Sequence, residues 1–164
     1  MRTRVRRARR EDYPWVGEII TTAYIADEVV APGAAYLAFL GDVAARDRDD
    51  EVWVAETEEG TVVGGVTFVR PGSELCEIAR GTEAEMRCLA VEPSARGAGV
   101  GEALTRLVVD RARAEGCEAL VLCSSTKMLA AHALYTRLGF TRLPERDWSP
   151  VPDVDLLAYS LPLP

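Results

Sequence analysis

Arg96, Gly97, Gly99 and Gly101 fall within six consecutive residues, in the stretch VEPSARGAGVGEAL from Val91 to Leu104, where a strand-like run gives way to a helix-like one. Glycine loses more conformational freedom on folding than any other residue, so three so close together need a reason. One reason is anion binding. A helix that begins directly after a strand presents unpaired N–H groups and the positive end of its dipole, glycines remove the Cβ atoms that would hold a phosphate away, and Arg96 adds a charge. The other reason is structural: a tight turn and close packing of helix on sheet. A second group with chemical potential is His132, the only histidine, three residues before Tyr135 and so on the same side of a helix. It can relay a proton or serve as a hydrogen-bonded packing residue.

Two nucleotide-binding motifs fail against these residues. A P-loop requires Lys and then Ser or Thr after its last glycine, but Gly101 is followed by Glu102 and Ala103. A dinucleotide fingerprint beginning at Gly97 requires glycine at position 102 and an acid closing the next strand, where Glu102 and LCSS stand. Cys76, Cys88, Cys117 and Cys123 form no CxxC pair, and Cys88 and Cys123 lie in apolar runs, so free structural thiols and no metal site are expected.

The chain has 164 residues, 48% hydrophobic and 27% charged, which predicts one domain over 1–164 with its own core. The net charge is -7, yet the first ten residues carry Arg2, Arg4, Arg6, Arg7, Arg9 and Arg10. A nucleic-acid arm is one reading of them. A first strand with Val5 buried and the arginines solvated is favoured, because the acidic remainder would repel a phosphate backbone; no nucleic-acid partner is expected. No run approaches the roughly 20 apolar residues of a membrane span and the start lacks the apolar core of a secretory signal, so no membrane partner and a cytoplasmic location are expected.

The elements follow from periodicity. Trp15, Ile19, Ile20 and Tyr24 recur at helical intervals after Pro14, and AAYLAFLGDVAARD predicts a second helix with Tyr36, Leu37, Leu40, Val43 and Ala44 on one side. Two β-rich runs around Glu58, Glu59 and Gly60 predict a hairpin, with a bulge near Gly64 and Gly65. EAEMRCLAV is a strand, stopped by Pro93, on which alternation places Glu85 with Arg87 and Leu89. An amphipathic helix from Val100 to Gly116, a strand EALVLCSS and a helix KMLAAHALYTRL ended by Gly139 imply a parallel strand pair joined by a crossover. FTRL and VDLLAYSL close the chain as strands, with PERDWSPVPD a loop between them.

Arg96-Gly97-Ala98-Gly99-Val100-Gly101 resembles the R/Q-x-x-G-x-G/A pyrophosphate loop of the GNAT superfamily of N-acetyltransferases, and ALYTRLGF, about 35 residues downstream, resembles that family's second element. The likeness is close over Met86–Phe140 and looser outside it. It implies an α/β (α+β) fold with a mixed, mostly antiparallel sheet of six to seven strands, about four helices and a central parallel pair splayed at the cofactor site. It implies acetyl-CoA as cofactor, with the pantetheine arm on main-chain groups of Leu89, Ala90 and Val91, and the pyrophosphate on Arg96, Gly97, Ala98, Gly99, Val100 and Gly101. Tyr135 takes the position of the general acid and Glu85 that of a catalytic glutamate, with Glu83 or a water chain as the other candidates. The asparagine usual after the second strand is replaced by SSTKM, so Ser125, Thr126 and Lys127 become the cofactor contacts there. Tyr24, Asp27, Glu28, Tyr36 and Trp148 are expected at the acceptor pocket, and a homodimer through late strands is one expected assembly. The implied reaction is transfer of acetyl from acetyl-CoA to a primary amine in a ternary complex; a non-catalytic acyl-CoA sensor or interaction domain is the alternative, and it has no need of Tyr135.

Overall fold

A computed structural model describes all residues, Met1–Pro164. The strands are β1 Thr3–Arg7, β2 Glu51–Thr57, β3 Val62–Val69, β4 Ala84–Val91, β5 Ala119–Ser125, β6 Thr141–Arg142, β7 Trp148–Val151 and β8 Val154–Pro162. The helices are α1 Tyr13–Ala26, α2 Tyr36–Gly41, α3 Val43–Asp49, α4 Val100–Ala114 and α5 Leu129–Arg137. The sheet runs β1-β2-β3-β4-β5-β8-β6, with β7 also paired to β8. Every pairing is antiparallel except β4 with β5.

The fold class is the expected one, and its counts differ for local reasons. Eight strands replace six to seven because β7 forms inside the Pro-containing loop, where Trp148 pairs with Leu156 and Val151 with Val154 across a turn at Asp153, φ +66°. Five helices replace four because Asp42 divides the second: its carboxylate accepts from Ala45 N–H at 3.2 Å, capping α3 while α2 ends. Trp15 does not join the buried face of α1. It is 64% exposed, and Val16, at 0%, packs inward with Ile19, Ile20 and Ala23.

Each face of the sheet carries a helical layer. α1 to α3 cover one face, with Val16, Ile20, Leu40 and Val43 against Val52, Val54, Cys88 and Ala90. α4 and α5 cover the other, with Val100, Leu104, Val108 and Tyr135 against Val66, Phe68, Met86 and Leu122. Gly64 and Gly65 let both layers approach β3. A Cβ on Gly64 would stand 3.0 Å from Val100 Cγ1 and 3.1 Å from Leu104 Cδ1, and one on Gly65 2.9 Å from Val16 Cγ1. The expected bulge is a register shift beside Gly64, where the β2–β3 pairing changes between Ala55 and Glu56.

The arginine-rich start is the expected strand with Arg4 and Arg7 exposed, and Arg6 is the exception. Arg6 keeps only 15% of its side chain exposed and binds Asp12 at 2.7 Å and Glu56 at 2.9 Å; Arg4 binds Glu56 and Arg7 binds Asp47. Four acidic side chains therefore neutralise the strand locally, counting the longer contact of Arg2 with Glu58. No helix is long and apolar enough to cross a membrane.

Candidate active site

The site begins where β4 and β5 part. They pair only from Ala84↔Leu120 to Met86↔Leu122, so beyond Met86 the β5-facing edge of β4 has no strand partner. A bulge accompanies the parting. The β3–β4 register slips between Gly65 and Thr67, placing an extra β4 residue there, and Cys88 takes φ +57°. The bulge reverses the alternation expected for this strand: Leu89 lies on the α4–α5 side with Met86, whereas Cys88 and Ala90 face α1. Glu85 and Leu89 therefore do not share a face.

At the end of β4 the chain turns through Gly97, φ +79°, and Gly99, φ +82°, into α4. Nothing lies within 4 Å of a Cβ built on either glycine. They are required by backbone conformation and leave the space in front of the turn open. Ala103 is the first residue of the helix to hydrogen-bond backward, to Gly99 C=O at 3.0 Å, and the N–H groups of residues 97–102 find no acceptor in the protein. Gly97→Ala or Gly99→Ala should each cost about 1–2 kcal/mol in chemical denaturation, a penalty of conformation and not of contact.

These amides open into a cavity of about 580 Å³. Its walls are the tail of β4 (Leu89, Ala90, Val91), the glycine turn, the end of α1 (Ala23, Tyr24, Asp27) and the start of α5. Of the residues expected to meet the cofactor, all but Ala98, Ser125 and Thr126 line it. Ser125 instead shapes the α5 start: its hydroxyl accepts Lys127 N–H, while its carbonyl takes Met128 N–H at 3.0 Å and His132 Nε2 at 2.9 Å. His132 is thus a hydrogen-bonded packing residue, its ring 5.7 Å from that of Tyr159. Sequence reasoning missed the α5 wall, Met128 to Ala131 with Leu134 and Arg137. The 4-then-3 spacing of Ala130, Leu134 and Arg137 was the available signal.

Tyr135 is 4% exposed, wedged between Phe140 and Tyr159 with ring centres 5.7 Å from each. Its hydroxyl has no hydrogen-bond partner in the protein, and burial, followed by the nearby Tyr159 phenol, pushes its pKa upward, so it keeps its proton across the physiological range. Tyr24 is also pushed up by burial, with Cys88, Tyr36 and Tyr135 near enough to disfavour its ionisation further.

Across the sheet, Glu85 is fully buried. Its Oε1 accepts the N–H groups of Glu77, Ile78 and Ala79 at 3.0, 2.9 and 2.9 Å, and its Oε2 is enclosed without a partner. Burial raises its pKa more than the three amides lower it. Glu83 is committed elsewhere, to Arg146 at 2.6 Å and to Arg80 N–H. Arg87, the first β4 residue past the parting, donates to Leu75 C=O and Tyr36 hydroxyl, both at 2.8 Å, pairs with Glu77 at 3.2 Å and lies 4.6 Å from the Phe39 ring centre. Tyr36 is pushed up to about 12 by burial, so its hydroxyl accepts the Arg87 hydrogen bond as a neutral phenol. Buried Arg46 holds α2 in place through Leu40 C=O and Thr67 hydroxyl.

The residues expected around the acceptor do not converge on one cavity. Tyr24 and Asp27 line the cavity of the glycine turn, Tyr36 stands at Arg87, and Trp148 lines a second cavity of about 320 Å³ with Glu77, Arg146 and Asp147. Glu28 gives its main-chain carbonyl to Lys127 Nζ. All four cysteines are free, and no group of three or more His, Cys, Asp or Glu side chains is arranged to hold a metal ion.

Residues 4–140 match the acetyltransferase (GNAT) family. A mycothiol acetyltransferase from Cellulomonas flavigena is 34% identical over 105 residues, 59% of this chain and 30% of that protein. The chain spans less than half the length of this and the other curated relatives it matches. A GNAT-family acetyltransferase from Staphylococcus aureus Mu50 superposes with a TM-score of 0.80 at 15% identity, covering 99% of this chain and 100% of the other. The Salmonella typhimurium protein YncA, solved with its cofactor acetyl-CoA, superposes with a TM-score of 0.72 at 23% identity, covering 100% and 95%. With a parted parallel pair, an open amide row and a match over most of its length, the chain belongs to the acetyltransferase (GNAT) family.

Proposed function

We propose that the protein transfers an acetyl group from acetyl-CoA to a primary amine, with both substrates bound at once. The observation that carries this reading is the row of unbonded N–H groups at residues 97–102, opening into a cavity whose far wall is the unpaired edge of β4. These are the unpaired N–H groups of a helix start, turned toward a cavity at the positive end of the α4 dipole, an arrangement that favours an anionic acceptor from outside the chain. A diphosphate suits it: charge-assisted bonds contribute roughly 1.5–3 kcal/mol each, and three or four of them supply the approximately 8 kcal/mol of a micromolar complex.

Residues 97–102 and Arg96 would hold the diphosphate, and the free edge of Leu89 to Val91 the pantetheine arm, with the apolar residues Leu134 and Ala131 lining the same cavity. Bound there, acetyl-CoA supplies an activated acetyl thioester. Tyr135 holds a proton for the departing thiolate, and its unpartnered hydroxyl and raised pKa fit that role. The amine must shed a proton on the opposite face. Glu85 is too deeply buried to touch it, so we assign Glu85 Oε2 as the terminal acceptor, reached through one bridging water. Four unpaired thiols suit a reducing compartment, and we place the reaction in the cytoplasm.

The test is calorimetry with CoA, then free-thiol release from acetyl-CoA across a panel of small amines, amino acids and peptides. Micromolar binding with amine-dependent release is expected. Binding with no release from any amine would favour the sensor reading, and no binding would remove both.

A further inference from the structure

The end of α1 occupies two of the three cations lining the coenzyme cavity, Arg96 and Lys127; the third, Arg137, donates to Glu102 at 2.9 Å. Arg96 Nη1 and Nη2 donate to Asp27 Oδ1 and Oδ2 at 3.4 and 3.3 Å, and Lys127 Nζ donates to the Glu28 main-chain carbonyl at 3.2 Å. Arg96 stands at the glycine turn and Lys127 between β5 and α5, so the two bonds reach across from different walls and meet at consecutive residues. Both cations line the cavity, as does Asp27 itself. Glu28 is one of only three non-glycine residues in the chain with positive φ, at +57°, so this end of α1 is held in a backbone conformation that a side chain disfavours.

Relative strengths decide what a phosphate would do here. The Arg96 side chain is 46% exposed and that of Asp27 29%. An ion pair so exposed shifts an equilibrium by about fivefold at most, whereas one charge-assisted bond to a phosphate oxygen shifts it by about tenfold to a hundredfold. The Asp27 carboxylate also repels an incoming diphosphate. Both effects act in the same direction.

We propose that Asp27 and Glu28 form a latch that the coenzyme displaces. Arg96 and Lys127 pass from the Asp27 carboxylate and the Glu28 carbonyl to phosphate oxygens, and residues 27–35, which join α1 to α2, come free. Tyr36 begins α2 and its hydroxyl accepts a hydrogen bond from Arg87 at the opposite face, so release of the latch loosens the acceptor side once coenzyme is in place. Asp27 is then a positioning residue for coenzyme entry and not an acceptor ligand. This inference rests on the coenzyme reading above.

The test uses CoA as the probe. Its affinity is measured by calorimetry at low salt for the wild type, Asp27→Asn, Arg96→Gln and the double variant, with hydrogen exchange followed over residues 27–35. Asn is nearly isosteric with Asp at a partly exposed helix end, so the fold is retained. Asp27→Asn should tighten CoA binding by about two- to fivefold, and by a clearly smaller factor once Arg96 is Gln, where only the carboxylate's repulsion of the diphosphate is relieved. Exchange over 27–35 should quicken when CoA is added to the wild type and should already be fast in Asp27→Asn without it. Unchanged or weaker CoA binding in Asp27→Asn would overturn the latch, as would CoA-induced protection of 27–35, which is the behaviour of a closing wall. Absence of CoA binding by the wild type would instead remove the coenzyme reading, and the latch with it.

Discussion

Tyr135→Phe should lower amine-dependent thiol release by about 10²- to 10⁴-fold and leave the affinity for CoA unchanged. The substitution is clean because of how the residue sits. Phenylalanine keeps the ring contacts with Phe140 and Tyr159, and the lost hydroxyl had no protein partner, so no donor or acceptor is left stranded. The melting temperature should therefore stay close to that of the wild type. Loss of turnover with binding and stability intact is the signature of a proton donor. Undiminished release would take Tyr135 out of the chemistry and leave it a core aromatic.

The second large effect concerns Glu85, where two substitutions separate two roles. Glu85→Ala leaves three N–H groups of the 77–79 turn without an acceptor inside the protein, of which Ile78 is buried, and leaving a buried donor unsatisfied costs roughly 1–3 kcal/mol. Denaturant titration should show that loss. Glu85→Gln keeps a carbonyl oxygen for the same three amides, so its stability should remain near the wild type while release falls, because the amide cannot take a proton. The pH dependence has a definite sign. Burial raises the Glu85 pKa above its unfolded value, so the folded state holds the proton more tightly and ionisation disfavours folding. The contribution is greatest below the unfolded pKa, near 4.3, and is lost as pH rises through the higher folded value. Glu85→Gln should flatten that part of the stability curve, and the wild type should lose turnover as pH falls and Oε2 becomes protonated. Full activity of Glu85→Gln at all pH values would leave Glu85 as the anchor of its turn alone.

Much of this was readable from residue order, because local chemistry dictates it. The glycine turn, the strand before it and the amphipathic helix after it follow from positive-φ demands and from periods of two and 3.6, which the structure satisfies at Gly97, Gly99 and Gly116. What was not readable depends on contacts between distant segments. The slip in β4 at Cys88 reverses the side chains after it, and nothing in EAEMRCLAV announces it, since cysteine has no preference for φ +57°. Arg6 reads as a solvated strand residue until Asp12 and Glu56 are brought to it. The division at Asp42 was legible in hindsight, as aspartate is a strong N-cap. Asp27 had the right residue type for an amine pocket, but the chain end that carries it bends to Arg96 and the phosphate turn.

The coenzyme claim comes down to whether particular main-chain protons meet a phosphate, and amide NMR reads them individually. Titrating CoA into ¹⁵N-labelled protein should move the resonances of Gly97, Ala98, Gly99, Val100, Gly101 and Glu102 furthest, downfield and saturably, at micromolar concentrations. Those six resonances remaining in place, whether CoA binds elsewhere or not at all, would contradict the account.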